Sequence, residues 1–150
     1  MTLKNAINFF ESLEAETSSK FEIKIYQEFI QIITSLENKN LSDTKIQSIE
    51  AELDHLNLKS NPENRKKYYK KAINDFKKYL KDTFSLTTKG YYTTFYGGLG
   101  LVFGLLFGVA ILHNLERSLG ISLGLIGGML VGSIVGRSKD AQAKAAGNML

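Results

Sequence analysis

Two stretches without charge constrain this chain more than any other feature. From Tyr91 to Leu112 it runs 22 residues with no charged residue, and from Leu119 to Gly136 another 18. A bilayer core about 30 Å thick takes roughly 20 apolar helical residues, within a working range of ~17–25. Both stretches qualify. A soluble amphipathic helix keeps a polar stripe, and the remainder of a 150-residue chain offers too little surface to bury two helices that are apolar all round. The pattern predicts transmembrane helices over 91–112 and 119–136. The connector His113–Ser118 has six residues, so the two must turn back on each other as a hairpin.

Orientation follows from the flanking Lys and Arg, which favour the cytoplasmic side. Arg65, Lys66, Lys67, Lys70, Lys71, Lys77, Lys78, Lys81 and Lys89 precede the first span; Arg137, Lys139 and Lys144 follow the second; Arg117 is alone in the loop. Both termini are therefore expected in the cytoplasm and the loop outside. The first 20 residues show no apolar core beside a basic start, so no signal peptide is expected. Tyr91, Tyr92, Phe95 and Tyr96 stand where an interfacial aromatic belt belongs.

All 13 glycines lie at position 90 or later. Gly100, Gly104 and Gly108 are four apart, and Gly120, Gly124, Gly128, Gly132 and Gly136 repeat the spacing in the second span. In lipid, helices gain little by hiding apolar surface from one another. They associate by close contact, which small residues permit. The rows predict glycine-zipper packing. Gly97, Gly98, Gly127, Ser122 and Ser133 fall outside the rows, a surplus that points to a second interface, between copies. The five-residue row of the second helix is expected to carry that homo-oligomeric contact.

Residues 1–89 lack glycine and read as a cytoplasmic domain of about four helices. Leu3, Ile7, Phe10 and Leu13 mark one face of the first. Ser19 with Glu22 fits a capping box opening the second, whose inner face is Phe21, Ile25, Phe29, Ile32, Ile33 and Leu36. Ser42 caps the third, with Leu41 and Ile46 placed as a hydrophobic staple; Ile46, Ile49, Leu53 and Leu56 line it. Asn61 caps the fourth, with Pro62 in its first turn, and Tyr69, Ile73, Phe76, Leu80 and Phe84 form its buried face. The predicted fold is all-α: a cytoplasmic helical bundle over 1–89, a transmembrane hairpin over 90–137 and a cytoplasmic tail over 138–150.

Charge divides the chain. Residues 1–60 carry 6 basic and 10 acidic side chains, and residues 61–90 carry 9 basic and 3 acidic. Lys66, Lys67, Lys70, Lys71, Lys77, Lys78 and Lys81 make a juxtamembrane cluster expected to meet anionic lipid headgroups. Nucleic acid fits less well, because arginine, the better phosphate fork, appears there once. Residues 1–60 are left as the docking face for a cytoplasmic protein.

The run from Phe76 to Thr93, with its FSL-x-x-KGYYT entry, the glycine ladder, and the D-x-x-AK-x-x-G exit from Asp140 to Gly147 resemble the small glycine-zipper membrane proteins of Bacteroidetes-type bacteria. The resemblance covers residues 60–150. Members of that group end in a basic residue and Leu, where this chain has Asn148-Met149-Leu150. It implies the hairpin topology and a bacterial inner membrane, and carries no catalytic residues.

No catalytic constellation is expected. The chain has no cysteine, which excludes thiolate metal sites and cysteine nucleophiles. His55 and His113 stand far apart, with no metal-ligand spacing, no phosphate loop and no cofactor motif. The ionisable groups that mark selective channels and transporters are missing from both spans. The expected function is a self-associating two-pass membrane protein with a sensing or docking domain, a membrane-perturbing or pore-forming effector. The alternative is a membrane anchor or adaptor subunit.

Overall fold

The computed structural model describes residues 1–60, 62–110 and 117–150. Among them are six helices and no strand: α1 (Leu3–Glu16), α2 (Lys20–Glu37), α3 (Asp43–His55), α4 (Arg65–Phe84), α5 (Tyr91–Ala110) and α6 (Arg117–Ala145). The chain divides into two compact units, Met1–Leu86 (with Leu150) and Thr87–Met149.

In the first unit, α2 packs against α1 and α4, and α3 against α4. The helix faces read from periodicity are largely the buried ones. Leu3, Phe10 and Leu13 of α1, Ile25, Phe29, Ile32, Ile33 and Leu36 of α2, Ile49 and Leu53 of α3, and Tyr69, Ile73, Phe76 and Leu80 of α4 form one core. Its centre is aromatic. Phe10 stacks on Phe29 at 4.1 Å between centroids, and Tyr26 meets Tyr69 edge to face at 5.3 Å. Buried phenols want acceptors: the Tyr69 hydroxyl donates to the Leu58 carbonyl at 2.9 Å, and Tyr68 donates to Leu56 and Asn57, each at 2.8 Å. The turn after α3 is thereby fastened to α4.

The caps depart from the sequence reading in three places. Ser19 is the N-cap residue of α2 but makes no side-chain cap bond. Thr17, two residues upstream, supplies the hydroxyl instead: it donates to Glu22 at 2.8 Å and accepts from the Ser19 amide at 3.2 Å. The reciprocal capping box is therefore not made. Ser42 caps α3 by position only, its hydroxyl 3.0 Å from that of Thr44; Leu41 and Ile46 do both pack on the core. α4 begins three residues after Pro62, because Asn64 accepts from the Lys67 amide at 3.0 Å and stops the helix from starting earlier. Asn61 lies outside the described residues.

In the second unit α5 and α6 pack antiparallel along their length. α6 continues through the segment expected to be a tail, as far as Ala145. Residues 137–145 hold Ala, Lys, Arg and Gln, good helix formers that carry the helix on. Gly147 ends it with φ +71°, a left-handed conformation that costs glycine least. The amides of Gly147 and Asn148 return to the carbonyls of Lys144 and Ala143, at 3.0 and 2.8 Å.

Candidate functional site

The glycine rows face each other. Gly100 lies against Gly128, Gly104 against Gly124 and Gly108 against Gly120. A Cβ on Gly108 would stand 2.6 Å from the Gly120 carbonyl oxygen, a separation real Cβ atoms do not reach. A Cβ on Gly100 or Gly104 would likewise meet the backbone of α6, and one on Gly124 or Gly128 the backbone of α5. The α6 row outruns that of α5: Gly132 faces Tyr96, and Gly136 faces Tyr92 and Thr93. The row expected to meet a second copy thus meets α5 of the same chain.

Four of the five surplus small residues separate into two sets. A Cβ on Gly97 would lie 3.4 Å from the Ser133 hydroxyl, so that pair belongs within the hairpin. A Cβ on Gly98 or Gly127 would have nothing within 4 Å. Gly127 lines an apolar groove of about 510 Å³ that runs along α5 and α6, with Leu99, Phe103, Phe107, Leu123 and Val131 among its walls. Phe103 and Phe107 stand more than half exposed beside it.

The second feature of the unit is a polar clasp at the start of α5. The first four amides of a helix lack intrahelical partners. Here the amides of Tyr91, Tyr92 and Thr93 find acceptors outside the helix, and Thr94 makes the first helical bond. Tyr91 donates to the Thr88 carbonyl at 3.1 Å and Thr94 to that of Gly90 at 2.9 Å. Tyr92 and Thr93 each donate to a carboxylate oxygen of Asp140 at 3.0 Å, and the Thr93 hydroxyl donates to Asp140 at 2.6 Å. Asp140, 9 % exposed, therefore caps α5 from α6, with its negative charge at the positive end of the helix dipole. Beside it the Thr87 amide donates to the Asn148 carbonyl at 2.9 Å, and Thr87 bridges to Met149. The entry and exit segments singled out in the sequence are thus one structure. The sequence marks Asp140 as the start of the D-x-x-AK-x-x-G exit but assigns it no role, since nothing local to it shows that its partner is the start of α5.

The lysine cluster is less uniform than its sequence suggests. Lys67, Lys71 and Lys78 are exposed. Lys77 is paired with Glu28 and Lys81 lies 3.3 Å from Asp82. Lys66 and Lys70 project over the ring of Phe21. Phe21, expected in the core, is 40 % exposed, and Tyr26 takes the core position instead. His55 ends α3 on the exposed surface, and no group of three metal-ligating side chains occurs among the described residues. His113 and the loop around it lie outside those residues.

The helices α5 and α6 are both long and apolar enough to cross a membrane, and 17 % of the apolar window of each is buried. No family model, curated protein or solved structure matches the chain.

Proposed function

We propose that this is a two-pass integral membrane protein of a bacterial inner membrane. In this reading α5 and α6 form a glycine-zipper hairpin, both termini lie in the cytoplasm, and assembled hairpins perturb the bilayer when the helical domain of residues 1–86 receives its signal. One observation carries the membrane reading. All but one of the exposed large apolar side chains among the described residues lie on α5 and α6. In water such a surface is an aggregation hazard; in lipid it is the solvated face. At ~1.5 Å per residue the 29 residues of α6 span about 43 Å, more than a ~30 Å core. The end bearing Arg137, Lys139, Asp140 and Lys144 then extends past the hydrocarbon.

Self-association is assigned to the groove face. The glycine rows face each other within the chain, whereas Gly127 is open and the neighbouring Phe103 and Phe107 stand more than half exposed. The test is mass in detergent or nanodisc, with dye leakage measured in liposomes of the same preparation. Gly127→Leu should insert normally, keep the hairpin and shift the oligomer toward monomer, with leakage falling in parallel. An unchanged mass would remove the groove from the interface.

The second reading is an anchor or adaptor that holds a cytoplasmic protein through residues 1–60 and performs no chemistry. The groove favours it over a conducting pore, since Tyr96 supplies the sole polar side chain in the groove wall. An oligomer that leaves liposomes sealed would select it.

A further inference from the structure

Outside α5 and α6, Phe21 is the one large apolar side chain exposed among the described residues. It occupies the first turn of α2. Lys66 Nζ stands 4.2 Å from its ring centroid and Lys70 Nζ 5.8 Å, both reaching across from α4. Lys20 and Lys24 on α2, and Lys67 and Lys71 on α4, are exposed in the adjoining turns. On α2, Glu28 is paired with Lys77, and Glu22, beside Phe21, accepts from the Thr17 hydroxyl. Among the described residues no carboxylate stands within ion-pair distance of the Lys66 or Lys70 ammonium group, and an unburied aromatic ring is set beside them.

We propose that Phe21, Lys66 and Lys70 form a contact for an anionic membrane surface, the ammonium groups taking headgroup phosphates and the ring entering the interfacial layer. The proposal rests on the membrane reading above and deepens it by naming the surface that meets the lipid. Charge complementarity selects anionic headgroups, since basic side chains beside an aromatic are the composition of an interfacial anchor. Residues 85–90 alone join α4 to α5, so the helical domain is tethered to the chain's entry into the bilayer, with Lys66 and Lys70 about 20–27 Å along α4 from that junction. A nucleic acid is disfavoured by geometry as well as by composition. A stacking base would have to compete with Lys66, which already sits over the ring of Phe21.

The chain contains no tryptophan, so Phe21→Trp in the full-length protein is a single reporter at the contact. In nanodiscs containing phosphatidylglycerol its emission should shift to the blue and be quenched by lipid carrying a headgroup-level spin label. Both effects should be absent in phosphatidylcholine discs and lost in high salt. Lys66→Gln and Lys70→Gln, added to the reporter, should each lower the docked-to-free ratio about fivefold, with helical circular dichroism unchanged. Emission indifferent to lipid charge, in a chain that has entered the discs, overturns this proposal alone. A response to an added RNA oligonucleotide without one to anionic lipid overturns it in favour of nucleic acid. A chain that does not enter the discs overturns the membrane reading and this proposal together.

Discussion

Asp140 accepts three hydrogen bonds from the first turn of α5, and they are charge-assisted. Replacing it by Ala leaves two helix-start amides without their acceptor, at a cost of about 1–3 kcal/mol. Asp140→Ala should therefore speed hydrogen exchange at Tyr92 and Thr93 by about 10–100-fold, while amides in the middle of α5 change little. Equal exchange in both proteins would show that Asp140 does not hold the helix start. A second residue reports on the other unit. Burial pushes the Tyr69 phenol up to about 12, with the neighbouring Tyr26 adding to the rise and Arg65 opposing it. The unfolded phenol ionises near 10. Between those values the folded state holds the proton and the unfolded state releases it, so stability is fully present below about pH 10 and declines as pH rises toward 12. Chemical denaturation midpoints should fall across that window, and Tyr69→Phe should flatten the decline. That variant should also be less stable at neutral pH, by about 1 kcal/mol, through loss of the bond to Leu58.

At the scale of elements, the long periodic helices were legible in the sequence and their ends were not. Apolar positions at helical spacing located α1 to α4 and most of their buried faces, because the core is built from that spacing. The capping hydroxyls and amides were not separable by type: Thr17 and Ser19, or Asn61 and Asn64, are equally competent by composition, and local geometry decides between them. Phe21 was misread for a related reason. Periodicity places it at the margin of the α2 stripe, and the lysines of α4 that meet it lie more than forty residues away. The glycine spacing was legible as close packing. Its partner was not, since the same row suits a second copy or the neighbouring helix. The structure sets Gly104 against the backbone of Gly124 and leaves Gly98 open. Gly104→Leu should accordingly force α5 and α6 apart toward the ordinary ~8–10 Å axial separation. Gly98→Leu should leave them in place. Spin labels at Thr94 and Arg137 read the difference by pulsed dipolar spectroscopy. Matching distance distributions in the two variants would contradict the facing rows.

For the molecule as a whole, the exposed apolar surface of α5 and α6 dominates. Side chains such as Val102, Leu106, Ile126, Leu130 and Ile134 stand 58–66 % exposed, on helices whose flanks carry the lysines and arginines counted above. In the proposed topology, positive charge retained on one side of the bilayer would put both ends of the chain together and the connector opposite. Because the chain has no cysteine, introduced thiols can be read without background. The decisive measurement is labelling of single cysteines at Asn114, in the connector, and at Lys59, exposed after α3, with a membrane-impermeant thiol reagent. In intact spheroplasts the thiol at 114 should react and the thiol at 59 should react only after lysis. Reaction at 59 with protection at 114 would invert the topology, and equal reaction at both in a soluble fraction would show that α5 and α6 do not span a membrane.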